Sequence, residues 1–367
     1  MSLSKPKIAI LGAGLQGRLL AFLLRKDVQI ELFDQDDGSA DQSAAYLAAA
    51  MLAPLAESAE SSQGIMQLGE IALQKWPQIL SQLPQEVFFQ QEGSLLVAFE
   101  QDMASLRNFE HNLKGDDYQK VSAQQIHDLE PDINQRFSHG LFLPNEGQLD
   151  NRQLLRVLGK ALQACESVQW QTNATAELNG EHLTINGKQR DGFDWIVDAR
   201  GLGAKQSQTD LRGVRGEVVR LYAPQVDLNR PVRLMHPRYP IYIAPKQNHY
   251  FVVGATQLET EDQRNPTVRS ALELLSACFS VHSGFAEAEI LQIQSGLRPA
   301  YLDNNPQMRV VGKVVSLNGL FRHGYLLAPV MVDLCRSYLL EQTIDARYQQ
   351  AMPELVVIES EQNRVSA

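Results

Sequence analysis

Three glycines and one aspartate near the amino terminus have the residue types and spacing needed to bind a dinucleotide. Gly12, Gly14 and Gly17 form the pattern G-x-G-x-x-G, and Asp34 follows Gly14 by 20 residues. The first glycine permits a tight turn, the second lets the backbone approach a pyrophosphate, and the third allows a helix to pack closely on a strand. Asp34 would accept a hydrogen bond from a ribose hydroxyl. Glycines also cluster in ordinary turns, so the pattern is specific only between a strand and a helix.

Two arginines are the strongest candidates for recognising an anionic substrate. Arginine can bind a carboxylate through two parallel, charge-assisted hydrogen bonds, which fix the orientation of the ligand. Leu297 and Pro299 flank Arg298, and an apolar run follows Arg322. Both arginines are therefore expected near buried elements. The competing interpretation is that each is a solvated surface charge, as isolated arginines usually are.

One tyrosine and one loop could complete such a site. Tyr242 lies in an alternating apolar segment, where a tyrosine is ordinarily a core residue with a satisfied hydroxyl. Gly324 permits close backbone approach, and Pro329 is compatible with the first turn of a helix that runs through Val332 and Leu334. Free amide hydrogens at this helix start would stabilise a negative charge next to them. The alternative is a plain loop entering a core helix.

The elements around the glycines supply the context that the pattern needs. Lys7–Leu11 is typical of a buried strand, and leucines and Phe22 follow the glycines at helical spacing. Val28–Phe33 predicts the next strand, which ends at Asp34. A strand, a glycine turn and a helix in this order favour dinucleotide binding over a chance turn.

A further strand of the same unit is predicted much later in the chain. It covers Trp195–Ala199, and Gly201 follows it. Before it, Asp150 is expected to cap a helix, with Gln153 reaching back to the cap. The dinucleotide-binding domain is therefore discontinuous. Strand-like segments in its interruptions suit an antiparallel sheet in a second domain; they are Gly93–Phe99, Gly216–Tyr222 and His249–Ala255.

Composition and charge limit the class of protein. The chain has 367 residues, 44% of them hydrophobic, which is enough for two intertwined domains. A formal charge of −10 argues against sequence-independent binding to nucleic acid or anionic lipid. The three cysteines and eight histidines show no spacing typical of disulfides or a metal site, so we expect neither. The polar start and the shortness of the apolar runs predict a cytoplasmic protein without an integral membrane segment.

In combination and order, these motifs resemble the D-amino-acid oxidase superfamily of flavoproteins, and within it the glycine oxidase branch associated with thiamine biosynthesis. The resemblance covers nearly the whole chain and is strongest at Gly296–Pro299 and Phe321–Pro329. The other matching segments are Ile10–Gly17, Ala48–Pro54 with Glu57 soon after, Arg215–Glu217, Tyr242–Pro245 and Val253–Thr256. The sequence departs from many relatives at Ala50, where they have glycine, and at Leu320, where they have histidine.

The resemblance implies an α/β fold in which a discontinuous Rossmann-like FAD-binding domain joins a second α+β substrate domain built on an antiparallel sheet. The implied boundaries are 1–80, 141–210 and 291–350 for the FAD-binding domain, 81–140 and 211–290 for the substrate domain, and 351–367 for a C-terminal tail. The cofactor-binding residues would be Gly12, Gly14, Gly17, Asp34, Met51, Gly201, Gly324, Tyr325, Leu326 and Leu327. Arg298, Tyr242 and Arg322 would contact the substrate. No cysteine lies near Arg298, so the FAD is expected to be non-covalent.

The activity implied is oxidation of glycine, a small D-amino acid or a secondary amine to the imine, with O2 reduced to hydrogen peroxide. The neutral amine would pass hydride to the flavin, so no catalytic acid or base is obligatory. Two rivals stay open: a dehydrogenase that passes electrons to a quinone or carrier, and a flavin domain of an RNA-modifying protein. The acidic composition counts against the second. Relatives suggest a homo-oligomer.

Overall fold

The computed structural model describes residues 5–235 and 240–359. Its helices over these residues are α1 (Leu15–Leu24), α2 (Ala44–Leu47), α3 (Pro54–Ser58), α4 (Gln63–Leu80), α5 (Met103–Asn112), α6 (Ala123–Leu129), α7 (Asn151–Gln163), α8 (Val268–Val281), α9 (Gly324–Glu341) and α10 (Ala346–Ala351). In this part of the chain, no helix is both long and apolar enough to cross a membrane.

The strands fall into two large sheets and two small ones. They are β1 (Lys7–Leu11), β2 (Gln29–Phe33), β3 (Met51–Leu52), β4 (Phe89–Gln90), β5 (Ser94–Val97), β6 (Gln119–Ser122), β7 (His139–Leu143), β8 (Gly147–Leu149), β9 (Val168–Gln171), β10 (Ala176–Asn179), β11 (His182–Ile185), β12 (Lys188–Arg190), β13 (Trp195–Asp198), β14 (Arg212–Tyr222), β15 (Val232–Leu234), β16 (Ile241–Pro245), β17 (Tyr250–Gly254), β18 (Glu289–Ala300), β19 (Gln307–Val311), β20 (Val314–Asn318) and β21 (Val356–Glu359).

The first large sheet has the strand order β21-β19-β20-β13-β1-β2-β9. Strands β2 and β13 flank β1 in parallel, as the sequence predicted for a dinucleotide-binding unit. Helices α1, α4, α7 and α9 contribute to one core against this sheet. On the opposite face, Phe193 and Leu183 belong to a second apolar cluster that includes residues of β1 and β2. Because both faces are covered, the central strands are almost continuously apolar rather than alternating.

The second large sheet has the order β18-β14-β17-β16-β15-β5-β7-β6. It contains the three segments predicted to form an antiparallel sheet, now as β5, β14 and β17. One face packs on α8 through residues such as Leu274 and Ile243. The prediction was wrong in one detail, since β5 and β15 pair in parallel. The long chain segment between these two strands permits either direction, whereas a hairpin would not.

Two local predictions need correction. Asp150 caps α7 by accepting from the Gln153 amide at 2.8 Å, but the Gln153 side chain accepts from the Phe88 amide instead of reaching back to the cap. Pro329 lies in the second turn of α9, because the helix already begins at Gly324. The missing amide of Pro329 frees the Tyr325 carbonyl, which accepts from the Trp76 indole at 3.1 Å.

The segment predicted to be a C-terminal tail also differs from that expectation. It contains α10 and β21, and β21 pairs in parallel with β19 at the edge of the first sheet. Apolar residues such as Leu355 and Val356 pack against the core there, so residues 351–359 are part of the folded structure. Residues 360–367 lie outside the described residues. The remaining domain boundaries stay a prediction.

Candidate active site

The glycine turn between β1 and α1 uses its three glycines in different ways. Gly12 has a φ of +93°, and a Cβ there would lie 2.7 Å from the carbonyl oxygen of Ala199. A Cβ on Gly17 would overlap the Gly12 carbonyl oxygen. A Cβ on Gly14 would meet only the Ser43 Cβ, at 3.9 Å. The protein's own packing therefore requires Gly12 and Gly17, whereas the space beside Gly14 is open to a ligand.

The polar groups around this turn hold it in place. The Ala13 amide and the Asp36 amide both donate to the Asp34 carboxylate, the latter at 2.7 Å. The buried Arg18 side chain donates to the carbonyls of Ala13 at 2.6 Å and Gly38 at 2.8 Å. Helix α1 begins at Gly14 without a side-chain cap, so its first amide hydrogens are free for an anion.

Gly201 lies at the end of β13, beside the same turn. Its φ is +56°, and its carbonyl accepts from the Asn318 side chain at 3.0 Å. Since β1 and β13 are parallel neighbours, their carboxyl ends meet at one edge of the sheet. Four predicted cofactor residues, Gly12, Gly14, Gly17 and Gly201, are thus brought to one edge.

The start of α9 presents backbone rather than side chains. No atom lies within 4 Å of a Cβ built on Gly324, and the preceding His323 gives no side-chain cap. The Tyr325 side chain points into the core, where its hydroxyl donates to the Ala45 carbonyl at 3.1 Å. Leu326 and Leu327 are buried as well. The first amides of this helix can therefore act on a cofactor, but that of Leu327 is engaged, since it donates to the His323 carbonyl at 2.8 Å.

Met51, the remaining predicted cofactor residue, lies in β3 of the small sheet β3-β8-β4. It packs against the small apolar cluster of Ala49, Ala244 and Val252, as Tyr242 also does. Lys246, which the sequence analysis missed, holds the chain segment before Met51 in place through hydrogen bonds. Its ammonium group donates to the Ala49 carbonyl at 2.8 Å, to Gln148 at 2.9 Å and to the Leu149 carbonyl at 2.9 Å. A lysine directly after an apolar strand gave no signal of this buried role.

Arg298 and Tyr242 share one face of the second large sheet. The strand register places Tyr242 opposite Gly254, and Gly216 lies between the two side chains on β14. A Cβ on Gly254 would lie 2.6 Å from the Tyr242 hydroxyl, and one on Gly216 would overlap the Arg298 guanidinium. The two glycines therefore form a floor over which the arginine and the tyrosine extend. The sequence analysis included both glycines within motifs but gave them no role.

The Arg298 guanidinium has an uncompensated charge. Its two terminal nitrogens lie 3.4 Å from the Thr256 carbonyl, and within the described residues it forms no ion pair. Burial lowers the pKa of Arg298, while Tyr242 and Glu57 act in the opposite direction. Burial also raises the pKa of Tyr242, so its hydroxyl keeps its proton and can donate. A carboxylate bound here would supply the missing negative charge.

Arg322 has different surroundings. Its Nε lies 2.7 Å from a Glu57 carboxylate oxygen, and its Nη1 donates to Glu60. Arg233 and His323 also contact Glu57, at 3.1 and 3.3 Å. The structure thus places Arg322 in a charge cluster around Glu57. The sequence analysis noted Glu57 only as part of a motif, because a carboxylate's partner from a distant strand leaves no local pattern.

The described residues contain no group of three or more His, Cys, Asp and Glu side chains arranged to hold a metal ion. The three cysteines are free thiols, and Cys278 and Cys335 are buried.

A family model described as "DAO: FAD dependent oxidoreductase" matches residues 7–335. The chain belongs to this family. Among curated proteins, it is 36% identical over 338 residues to the putative thiamine biosynthesis oxidoreductase ThiO of Rhizobium etli, covering 92% of this chain and 97% of that protein. It is 23% identical over 248 residues to a glycine oxidase of Bacillus licheniformis, covering 64% of this chain and 66% of that protein.

Solved structures show the same fold. Glycine oxidase from Bacillus cereus superposes with a TM-score of 0.79 at 18% identity, covering 93% of this chain and 98% of that one. Glycine oxidase from Geobacillus kaustophilus gives 0.78 at 21% identity, covering 94% and 96%. The predicted α/β fold class and the family resemblance are therefore confirmed.

The residues of this family member fit FAD, the cofactor of the family. The open space at Gly14 and the uncapped start of α1 suit the pyrophosphate, and the uncapped start of α9 suits a ring that gains negative charge on reduction. Asp34 stands at the end of β2, where a ribose hydroxyl is expected. Which atoms contact the cofactor stays a prediction.

Proposed function

We propose that this enzyme oxidises glycine, a small D-amino acid or a small secondary amine to the imine, with O2 as the electron acceptor and hydrogen peroxide as product. The names of the related proteins support an amino-acid substrate and a contribution to thiamine thiazole synthesis. The FAD would be non-covalent, since none of the three cysteines lies in sequence near Arg298.

One observation carries the proposal: Arg298 is a partly buried guanidinium without an acidic partner among the described residues. A buried charge is costly unless it is paired, so this site calls for an anion. The carboxylate of an amino acid would supply it through two hydrogen bonds, with the Tyr242 hydroxyl as a further donor. The pairing would fix the carboxylate and thereby the direction of the Cα–H bond.

When bound, FAD accepts hydride from the substrate and passes the electrons to the acceptor. The protein's part is to hold the substrate and to shape the charge around it. Arg298 and Tyr242 would bind the carboxylate, Met51 would limit the space on the nucleotide side, and the free amides at the start of α9 would stabilise negative charge. No side chain has to remove a proton from Cα in this scheme.

The test is a peroxide assay on the purified holoenzyme with glycine, sarcosine, D-alanine and larger D-amino acids. We expect one peroxide per substrate oxidised, and intact FAD released by acid or heat. Substrate-dependent reduction of an artificial acceptor without peroxide would assign a dehydrogenase instead. A protein that leaves every amine unreacted, with both O2 and an artificial acceptor, would exclude the amine oxidase.

A further inference from the structure

Glu57 binds Arg322 in the way that a substrate carboxylate would bind a free arginine. One oxygen of Glu57 lies 2.7 Å from Arg322 Nε, and the other lies 3.4 Å from Nη2. The remaining nitrogen, Nη1, donates to Glu60 and lies 3.4 Å from the Gln257 side-chain oxygen. Every nitrogen of this guanidinium therefore has a partner inside the protein.

The neighbours of Glu57 stabilise its charged form. Its side chain is 12% exposed. Burial by itself would raise the pKa of Glu57, but Arg322, His323 and Arg233 lower it, and the net result lies well below the usual range. The carboxylate thus stays ionised at neutral pH and is a fixed internal anion.

Arg322 and Arg298 border the same loop. The Arg298 guanidinium contacts the Thr256 carbonyl, and Arg322 contacts the next residue, Gln257. Both arginine charges act on the pKa of Tyr242, in opposition to burial. A substrate held at Arg298 by one carboxylate would therefore extend a second one into the neighbourhood of Arg322.

Space for a second carboxylate exists beside Arg322. A cavity of about 250 Å³ adjoins it, and its walls include Glu60, Asp303, Phe321 and His323 but not Glu57. The two arginines differ in the hydrogen-bond donors that a ligand could use. Arg298 lacks an acidic partner among the described residues, whereas every guanidinium nitrogen of Arg322 already has a partner. A carboxylate entering beside Arg322 would meet the negative charges of Glu60 and Asp303 at the cavity wall, and a guanidinium that Glu57 already occupies.

We propose that Glu57 is a specificity-determining residue: it occupies Arg322, so that the site accepts amines with one carboxylate and rejects those with two. Arg298 anchors the accepted carboxylate, and in this respect the inference rests on the proposed function. Specificity then depends on a repulsive element as well as an attractive one. Removing the charge of Glu57 should free Arg322 to bind the second carboxylate of a dicarboxylic amine.

The experiment compares matched substrates in the wild type and in Glu57→Gln. Sarcosine and iminodiacetate are both secondary amines with one and two carboxylates, and D-alanine and D-aspartate form the corresponding primary pair. We expect the ratio of kcat/KM for the dicarboxylate to that for the monocarboxylate to rise at least about tenfold in Glu57→Gln, mainly through KM, because a charge-assisted contact replaces a repulsion. An unchanged ratio would overturn the inference.

A matched control separates specificity from general loosening. Glu130 is also buried and also forms an ion pair with an arginine, at 2.8 Å from Arg230 Nε. It directly follows α6 and lies outside the Glu57 cluster. Glu130→Gln should leave the substrate ratio at the wild-type value. A similar rise in both variants would show that any lost buried carboxylate has this effect, and the specific role of Glu57 would be rejected.

Binding without turnover supplies a second measurement. Acetate and malonate are titrated into the oxidised holoenzyme, and the change in flavin absorbance reports binding. Glu57→Gln should bind malonate at least about tenfold more tightly than the wild type, with the acetate affinity within about twofold. Equal changes for both anions, or none, would contradict the inference.

If Glu57→Gln does not fold, the variant Glu60→Gln provides an alternative test. The Glu60 side chain is 40% exposed, so Glu60→Gln frees Arg322 Nη1 with little disturbance of the core. We expect a smaller rise of the malonate-to-acetate affinity ratio, about threefold, and no rise would count against the inference. A wild type that oxidises no monocarboxylic amine would instead contradict the proposed function.

Discussion

The glycine turn and the Arg298 site are built in opposite ways. The turn lies within residues 7–34, and its geometry comes from backbone amides and from glycines that lack a Cβ. The Arg298 site draws on four strands whose order in the sheet differs from their order in the chain. Its chemistry comes from side chains, and it depends on whether neighbouring elements place a charged partner beside each of them. A local turn can be recognised by its pattern, whereas a side chain's role depends on the residues that surround it.

The largest expected effect tests the division of roles within the turn. Gly17→Ala should lower the free energy of unfolding by about 3 kcal/mol, because the new methyl group would overlap the Gly12 carbonyl, which is rigid backbone. Gly14→Val should leave the stability of the apoprotein almost unchanged but strongly reduce FAD content, since only a ligand would occupy the space. Denaturant unfolding and the flavin-to-protein ratio measure the two effects. Normal FAD content in Gly14→Val would show that this glycine serves the local fold alone.

The next effect concerns the Arg298 site. Arg298→Ala should retain FAD but lose at least about tenfold in kcat/KM toward glycine or a small D-amino acid, since a charge-assisted contact contributes about 1.5–3 kcal/mol. Arg298→Lys should recover only part of the activity, because lysine restores the charge but not the planar fork. Steady-state kinetics provide the measurement. An amine without a carboxylate is the control, and an equal loss with that amine would mean that Arg298 serves the fold or the flavin.

A third prediction concerns Lys246, which follows β16 of the Arg298 site and binds the Ala49 carbonyl. Burial lowers the pKa of Lys246 to about 7, whereas an unfolded lysine titrates near 10.4. Between these values the unfolded chain binds a proton that the folded chain lacks, so this residue's contribution should make the protein more stable as pH rises from about 7 to 10. Below about pH 7 both states are protonated, and the contribution stays constant.

The comparison of the wild type with Lys246→Met isolates this contribution. The difference in free energy of unfolding should change by about 1.4 kcal/mol per pH unit between pH 7 and 10, in favour of the wild type. Urea unfolding at several pH values measures it. A difference independent of pH would show that the three acceptors keep Lys246 protonated throughout.

The smallest effect is expected at Ala50, where many relatives have glycine. Ala50 has a φ of +52°, a left-handed conformation that costs a residue with a Cβ about 1–2 kcal/mol. Glycine removes that strain but adds freedom to the unfolded chain, which offsets about 0.4–1 kcal/mol of the gain. Ala50→Gly should therefore stabilise the protein by about 1 kcal/mol or less, with normal FAD content. Thermal unfolding measures the effect, and a lower melting temperature would contradict the assigned strain.

Much of the nucleotide-binding region followed from the sequence. The predicted strand at Lys7–Leu11 and the strand after it agree with the structure, because apolar periodicity and glycine spacing act over a few residues. Strand pairings between distant parts of the chain were harder to predict in both large sheets. The parallel pair of β5 and β15 and the edge strand β21 depend on partners far away in the chain, for which no local pattern exists.

The sequence by itself determined the family, the α/β fold and the glycine turn, since each depends on local spacing or on motifs in a fixed order. It also selected Arg298 and Arg322, and assigned both to contact with the substrate. Only the tertiary structure separated them: Arg322 meets Glu57 from α3, while Arg298 extends over Gly216 without an acidic partner among the described residues. The reason is physical, because the role of a buried charge depends on the charges that the fold brings within a few ångströms of it.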